Sequence, residues 1–390
     1  MRGARLFTII STLMLVTACG TLQERQVLNP LTDADDRAPS VETNERDNRN
    51  TREGAVEKPT DPGYAIIKVF FATDRNLSKK SGEIFGINRG SSLIYGFCKV
   101  SIPRDHRMGH LESPSIWKWE RRQNPSKHVV LLETHVQLRK KFFNDLAARI
   151  KTSSGKKAFL FIHGYNVTFE DAARRTAQIS YDLGFDGAPI FYSWPSQGVS
   201  MPLAYTRDEA NNEWSQANLK RFIENFFAQS DAQDVYLIAH SMGNRGLTRA
   251  LADILSAKPS IKERLKEVIL AAPDIDAEVF RRDIAPLLTA SSSPITLYAS
   301  SNDLALVMSK SVHGSPRAGD SGKGLIITPG IETIDATYTD TSFIGHSYYA
   351  ERRSILADIF YVITEGRRAD GRFGLKKVRT KNGYYWEFKP

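Results

Sequence analysis

With 390 residues, 41% of them hydrophobic and 25% charged, the chain has room for one large domain with a sizeable core and for an appendage. Two cysteines exclude a disulfide-stapled scaffold. The net charge of +9 is uneven: residues 24–61 hold ten acidic and six basic side chains, so the rest is more basic than the total. A basic body favours anionic membrane surfaces or acidic substrates, or simply solubility; no dense basic run with interleaved aromatics appears, so no nucleic-acid partner is expected.

At the N-terminus, Arg2 and Arg5 precede an apolar run from Leu6 to Val16, too short to span a bilayer comfortably. It ends Leu15-Val16-Thr17-Ala18-Cys19. Basic start, apolar middle and small residues before a cysteine resemble a bacterial lipoprotein signal. The resemblance implies that residues 1–18 are cut away and that the Cys19 thiol is lipidated. Gly20, in place of the aspartate that retains such proteins in the inner membrane, implies the outer membrane, facing the periplasm. Several acyl chains on one residue anchor a protein stably. The alternative is a signal peptide with an incidental cysteine. Residues 19–62 are polar and lack an apolar period, which predicts a flexible tether.

From residue 63 to 365 the pattern is that of a catalytic domain. Three strands are predicted at Ala65 to Phe71, Leu93 to Ile102 and Val129 to Val136, forming the antiparallel leading edge of a sheet. Cys98 lies in the second and reads as a small buried hydrophobe. The stretch Arg104 to His128, with Trp117 and Trp119, is long and irregular: an overhang above a site, or a surface excursion. The spacing of Phe142, Phe143, Leu146 and Ile150 predicts a helix from Leu138 to Lys151. Strands at 158–162, 188–193, 234–239, 267–272, 295–299 and 331–336 alternate with helices at 168–183, 208–228, 243–256 and 347–364. This predicts an α/β fold with a mostly parallel sheet covered on both faces. The basic extension 366–390 reads as a hairpin around Asn382-Gly383 that packs on the domain edge.

The most informative stretch is Ala239-His240-Ser241-Met242-Gly243, between an apolar strand and a helix. A serine on such a turn is pushed out at the end of the sheet, and small neighbours let backbone approach backbone. Upstream, a strand ends in His163-Gly164-Tyr165-Asn166; downstream, Asp303 follows one strand and Gly345-His346-Ser347 follows another. With this order of Ser, Asp and His the chain resembles the α/β-hydrolase superfamily over roughly residues 155 to 365. The FIHGYN, YSWPS, AHSMGN and AAPDID segments resemble an uncharacterised bacterial branch of it.

The resemblance implies Ser241 as nucleophile, His346 as base and Asp303 as the acid that orients it. It also implies that the Tyr165 and Met242 backbone N–H groups form the oxyanion hole. Asp274 is the alternative acid, unless it caps the next segment or lines the pocket. His313 competes with His346, while His163 and His240 read as structural. His106, His110, His128 and His135 lack metal-ligand spacing, and Gly319 to Gly324 fails the phosphate-loop pattern. No metal or organic cofactor is expected. The predicted activity is carboxylic-ester hydrolysis on an acyl ester or lipid substrate through an acyl-enzyme. An amidase or transacylase on the same residues, and a non-catalytic envelope lipoprotein keeping the fold as a scaffold, remain open. The oligomeric state is not legible.

Overall fold

Alternating apolar side chains make strands that are buried on both faces. In β1 (Tyr64–Leu77), Phe70 points into one core and Phe71 into the other. The same split recurs in β4 (Lys157–Ile162), with Leu160 on one side and Phe159 and Phe161 on the other. A computed structural model describes residues 62–114, 122–199, 201–290, 293–339 and 355–389. Burying each such side chain contributes roughly 1.5–3 kcal/mol.

In chain order, β1 is followed by β2 (Phe85–Pro103), β3 (Val130–Gln137), α1 (Arg139–Lys151), β4, α2 (Phe169–Asp182), β5 (Ala188–Ser193) and α3 (Pro202–Gln229). Then come β6 (Asp234–His240), α4 (Gly243–Ala257), β7 (Leu265–Ala271), β8 (Ile295–Ala299) and α5 (Leu304–His313). The remainder is β9 (Glu332–Asp335), α6 (Ile355–Ile363), β10 (Leu375–Thr380) and β11 (Gly383–Phe388). Among the described residues the strands form one eleven-stranded sheet, ordered β10-β11-β9-β8-β7-β6-β4-β5-β1-β2-β3. The α/β-hydrolase architecture expected from sequence is therefore present. Strands β5, β4, β6, β7, β8 and β9 run parallel. The leading strands β1, β2 and β3 pair antiparallel with one another, but β1 joins β5 in parallel. One core packs α1, α3 and α4 on the sheet; the other packs α2 and α6.

Local chemistry sets the helix ends. Thr168 caps α2, its hydroxyl accepting the Asp171 N–H, with Glu170 and Asp171 at the positive end of the helix. Helix α3 starts at Pro202, upstream of the predicted 208, because a proline fits the first helical position. Helix α5 was not predicted. Asp303 caps its start and Gly314, in the left-handed conformation (φ 67°), ends it. Of the predicted helix 347–364, the part from Ile355 to Ile363 lies within the described residues.

The C-terminal hairpin adds two strands to the sheet, with β11 parallel to β9. It is fastened by Arg372, whose guanidinium reaches Asp358 (3.0 Å), Glu332 (2.7 Å) and the Thr296 hydroxyl (2.9 Å). Arg368 adds pairs to Glu267 at 2.6 Å and Glu332 at 2.8 Å. Cys98 is buried and unpaired by any disulfide, and burial pushes its thiol up to about 12.

Candidate active site

Parallel strands deliver their C-terminal ends to one edge of the sheet, and chemistry in open α/β sheets gathers there. Ser241 follows β6 at that edge with φ 48°, a left-handed conformation rare for a residue with a side chain. Its N–H is held by the Ala271 carbonyl of the neighbouring strand at 2.9 Å. Its side chain is buried, and Oγ has no hydrogen-bond partner among the described residues. Helix α4 begins at Gly243 with Met242 as its cap, which places the positive end of the helix dipole beside Ser241.

The loop after β4 closes on this elbow from the other side. A Cβ at Gly164 would stand 2.8 Å from the Ser241 Cβ and 3.0 Å from the His240 Nδ1. One at Gly243 would stand 2.4 Å from the His163 carbonyl oxygen. Only hydrogen fits at both places, so the H-G-Y turn and the elbow are backbone neighbours. Asn166 then takes φ 59°, with its N–H donated to Asp208 at 3.3 Å. The Tyr165 hydroxyl is tied to the 199–201 segment: it accepts the Met201 N–H at 2.8 Å and lies 3.1 Å from the carbonyls of Val199 and Met201.

Sequence reasoning missed what braces this loop. Trp194 donates its indole N–H to the His163 carbonyl at 2.8 Å and stacks on the imidazole at 5.0 Å. Arg75, fully buried, donates to Ser193 Oγ (2.8 Å) and to the carbonyls of Ser196 (3.0 Å) and Val167 (2.8 Å). Charged side chains are buried only when so satisfied. The signal was present as Thr73-Asp74-Arg75 at the end of an apolar strand. His163 and His240 are both buried, and burial first, then Arg75 and Arg175 respectively, holds them neutral; His240 falls to about 3.

The two candidate acids occupy different environments. Asp303 is buried after β8 and accepts the Leu306 N–H at 2.9 Å through Oδ1. Asp274 follows β7 and is surrounded by donors. Its Oδ1 accepts from Ser309 Oγ (2.5 Å) and Arg317 Nε (2.9 Å), and its Oδ2 from Tyr205 (2.5 Å) and Arg245 Nη2 (3.3 Å). Burial alone would raise the Asp274 pKa, but the Arg245 and Arg317 guanidinium groups hold it below the usual carboxylate range. The capping role considered for Asp274 belongs to Asp276, which accepts the Glu278 and Val279 N–H groups.

His313 turns to Glu209, its Nε2 2.9 Å from Oε1, and to the Ser309 carbonyl. His346 and Cys19 lie outside the described residues, as do Trp117 and Trp119. The described part of the 104–128 stretch is pinned on α2: His106 sits between Glu112 and Asp182, each at 2.8 Å, and Arg174 Nη2 donates to the Glu112 carbonyl at 3.3 Å. Among the described residues no group of three or more potential metal ligands occurs, and no helix is long and apolar enough to cross a membrane.

Comparison with known proteins gives distant likenesses and one family. The chain is similar to a prolyl endopeptidase at 12% identity, covering 71% of this chain but only 36% of that one, with a TM-score of 0.27. A fungal esterase from Rhizomucor miehei is 10% identical over 73% of this chain and 79% of its own, TM-score 0.27. A phospholipase, PlaB from Legionella pneumophila, is 12% identical over 60% of this chain and 67% of its own, TM-score 0.26. No curated protein matches the chain. The model of one family, the α/β hydrolases of unknown function called DUF900, matches residues 139–365, from α1 through the Ser241 elbow and Asp303 to the end of α6. The chain belongs to that α/β-hydrolase family.

Proposed function

We propose that this protein is a serine hydrolase that cleaves carboxylic esters through an acyl-enzyme. The observation that carries the reading is Ser241: a serine at positive φ between β6 and α4, its Oγ without a partner among the described residues and its backbone against Gly164. Such strain at a strand-to-helix turn is kept where it orients a reacting group. Ser241 Oγ attacks the acyl carbon as His346 takes its proton. The Tyr165 and Met242 N–H groups receive the negative charge of the tetrahedral intermediate. The bond to the alkoxide then breaks, and His346 protonates the leaving alcohol. Water, deprotonated by His346, attacks the acyl-enzyme and releases the acid and Ser241. Asp303 keeps the imidazole in the working tautomer.

The test uses p-nitrophenyl acyl esters and a fluorophosphonate probe. Wild type is expected to hydrolyse one or more of them and to be labelled on Ser241. Ser241→Ala is expected to fold and to lose several orders of magnitude in kcat, as triad lesions do. Full turnover by folded Ser241→Ala, or an active preparation that no fluorophosphonate labels, rejects the reading.

The same proposal places the enzyme in the bacterial envelope, held by lipid on Cys19 to the outer membrane and facing the periplasm. Its support is the Leu15 to Cys19 sequence after a short apolar run. Expression of the full chain with a labelled fatty acid is expected to label wild type and not Cys19→Ala, and only wild type should fractionate with membranes. Absence of label from both rejects the anchor.

A further inference from the structure

The serine elbow has a twin. Ala272, the residue after β7, takes φ 43°, beside Ser241 at φ 48° after β6. The two strands are adjacent, with His240 paired to Ala271 in register, so the two left-handed residues lie side by side. Neither is a glycine, and an L side chain at such a φ persists only where its surroundings over-determine it.

Two residues join the turns, one through its side chain and one through its backbone. Asn244, fully buried in the first turn of α4, donates from Nδ2 to the Ser241 carbonyl (3.0 Å) and to the Ala271 carbonyl (3.1 Å). Asp274 donates its backbone N–H to the same Ser241 carbonyl at 3.2 Å. The Asp274 carboxylate gathers Tyr205 from α3, Arg245 from α4, Ser309 from α5 and Arg317 from the segment beyond α5. Arg245 also donates from Nε to the Asp274 carbonyl at 2.5 Å, so the helix that opens at the elbow grips both ends of that residue. The 315–319 segment presses on the turn from outside. Gly319 N–H bonds to the Pro273 carbonyl at 2.8 Å, and a Cβ on Gly319 would stand 2.3 Å from the Ala272 carbonyl carbon.

We infer that Asn244 and Asp274 are positioning residues that clamp the turns at Ser241 and Ala272 together and thereby fix the direction of the Ser241 hydroxyl. This rests on Ser241 being the nucleophile. Neither residue touches the reacting atoms; both act through the Ser241 backbone. A nucleophile displaced by about 1 Å loses about 100-fold in rate, and substrate binding does not depend on that direction. Asp274 is thereby distinguished from the acid, whose loss changes the titration of the base.

The experiment compares wild type with Asp274→Asn, Asn244→Asp and the milder Tyr205→Phe, which removes one donor to Asp274 at nearly constant volume. Ester turnover, its pH profile and the rate of fluorophosphonate labelling are measured on protein folded by near-ultraviolet circular dichroism. Asp274→Asn and Asn244→Asp are expected to lower kcat and labelling rate together by about 100-fold. KM should stay within a few-fold, and the pH midpoint of kcat/KM should not move. Tyr205→Phe is expected to lose less, and to add nothing to Asp274→Asn in the double variant.

Labelling and kcat at wild-type rates in folded variants overturn the inference while leaving Ser241 as nucleophile. So does a loss confined to KM, or a moved pH midpoint in Asp274→Asn, which would make Asp274 the acid. If either stronger variant fails to fold, Tyr205→Phe decides: wild-type labelling by it overturns the inference. A wild type that neither turns over nor labels rejects the serine reading, and the inference falls with it.

Discussion

Gly164 and Ser241 touch through their backbones: a Cβ on the glycine would come within 2.8 Å of the Ser241 Cβ and 3.0 Å of the His240 carbonyl oxygen. Its neighbours there are main chain, the stem of a buried serine and the buried His240 imidazole, which have no flexible end to swing away. Gly164→Ala is therefore expected to push the H-G-Y loop from the elbow. Fluorophosphonate labelling of Ser241 should slow by about 100-fold, with the chain still folded. Labelling at the wild-type rate would show that the loop accommodates the methyl group without loss.

The choice of acid has a direct readout. Asparagine at the acid position keeps shape but loses the imidazole tautomer, a loss on the order of 10⁴-fold in a related triad. Asp303→Asn is expected to show that loss in kcat together with a shifted pH profile. Asp274, whose two oxygens already accept four donors, is expected to show the smaller, profile-neutral effect. Steady-state kinetics from pH 5 to 9 on both variants checks the assignment.

His106 supplies a pH dependence unrelated to catalysis. Burial would lower its pKa, but hydrogen bonds to Asp182 and Glu112 prevail and raise it to about 9. A histidine whose folded pKa lies above its unfolded value, near 6.5, contributes stability that is fully present below pH 6.5. That stability is lost as pH rises through 9. Tm is expected to fall across pH 7–10, and His106→Gln should flatten that slope while lowering Tm at pH 7. Parallel slopes for the two proteins would reject the assignment.

Asp74 has the opposite environment to Asp274. Burial pushes its carboxyl up to about 6, against hydrogen bonds from Tyr192 and Asn218, and its Oδ1 has no partner among the described residues. The folded state then holds a proton that the unfolded chain releases near pH 4. Stability consequently drops as pH rises from 4 to 6 and stays lower above it, by on the order of 3 kcal/mol. Asp74→Asn is expected to raise Tm at pH 7.5 and to leave it nearly unchanged at pH 4, read by calorimetry. An equal effect at both pH values would assign the change to packing.

Arg372 holds the C-terminal hairpin by charges buried together with their partners, its side chain fully covered. Removing Arg372 leaves Asp358 without its cation and Glu332 with Arg368 alone, which costs about 3–5 kcal/mol for a buried pair. Arg372→Met is expected to lower stability in urea by about that amount without altering the Ser241 labelling rate of the protein that remains folded.

The serine elbow was legible because its signal is local: an apolar strand, a serine among small residues and an amphipathic helix are contiguous in Val235 to Leu255. The sheet was legible for the same reason, since each buried strand announces itself by composition. Helix α5 was not, because its turns Leu304 to His313 are short and its cap, Asp303, already had a catalytic reading. The Asp274 network was invisible because its partners stand at positions 205, 245, 309 and 317 and meet only when three helices converge. The brace of Arg75 and Trp194 is of the same kind: a basic residue after a strand says nothing until the carbonyls it satisfies are gathered around it.

The hairpin of β10 and β11 has a consequence for how the chain comes to be made. It covers the side of β9 away from β8, yet it is synthesised after every other described strand of the sheet. Until it arrives, β9 offers open backbone donors and acceptors, the kind of edge that recruits strands from other chains. A message truncated after α6 would still encode Ser241, Asp303 and His346 in order, but would yield a sheet that ends in such an edge. Solubility during biogenesis therefore depends on the hairpin of residues 375–388, beyond the segment that defines the family.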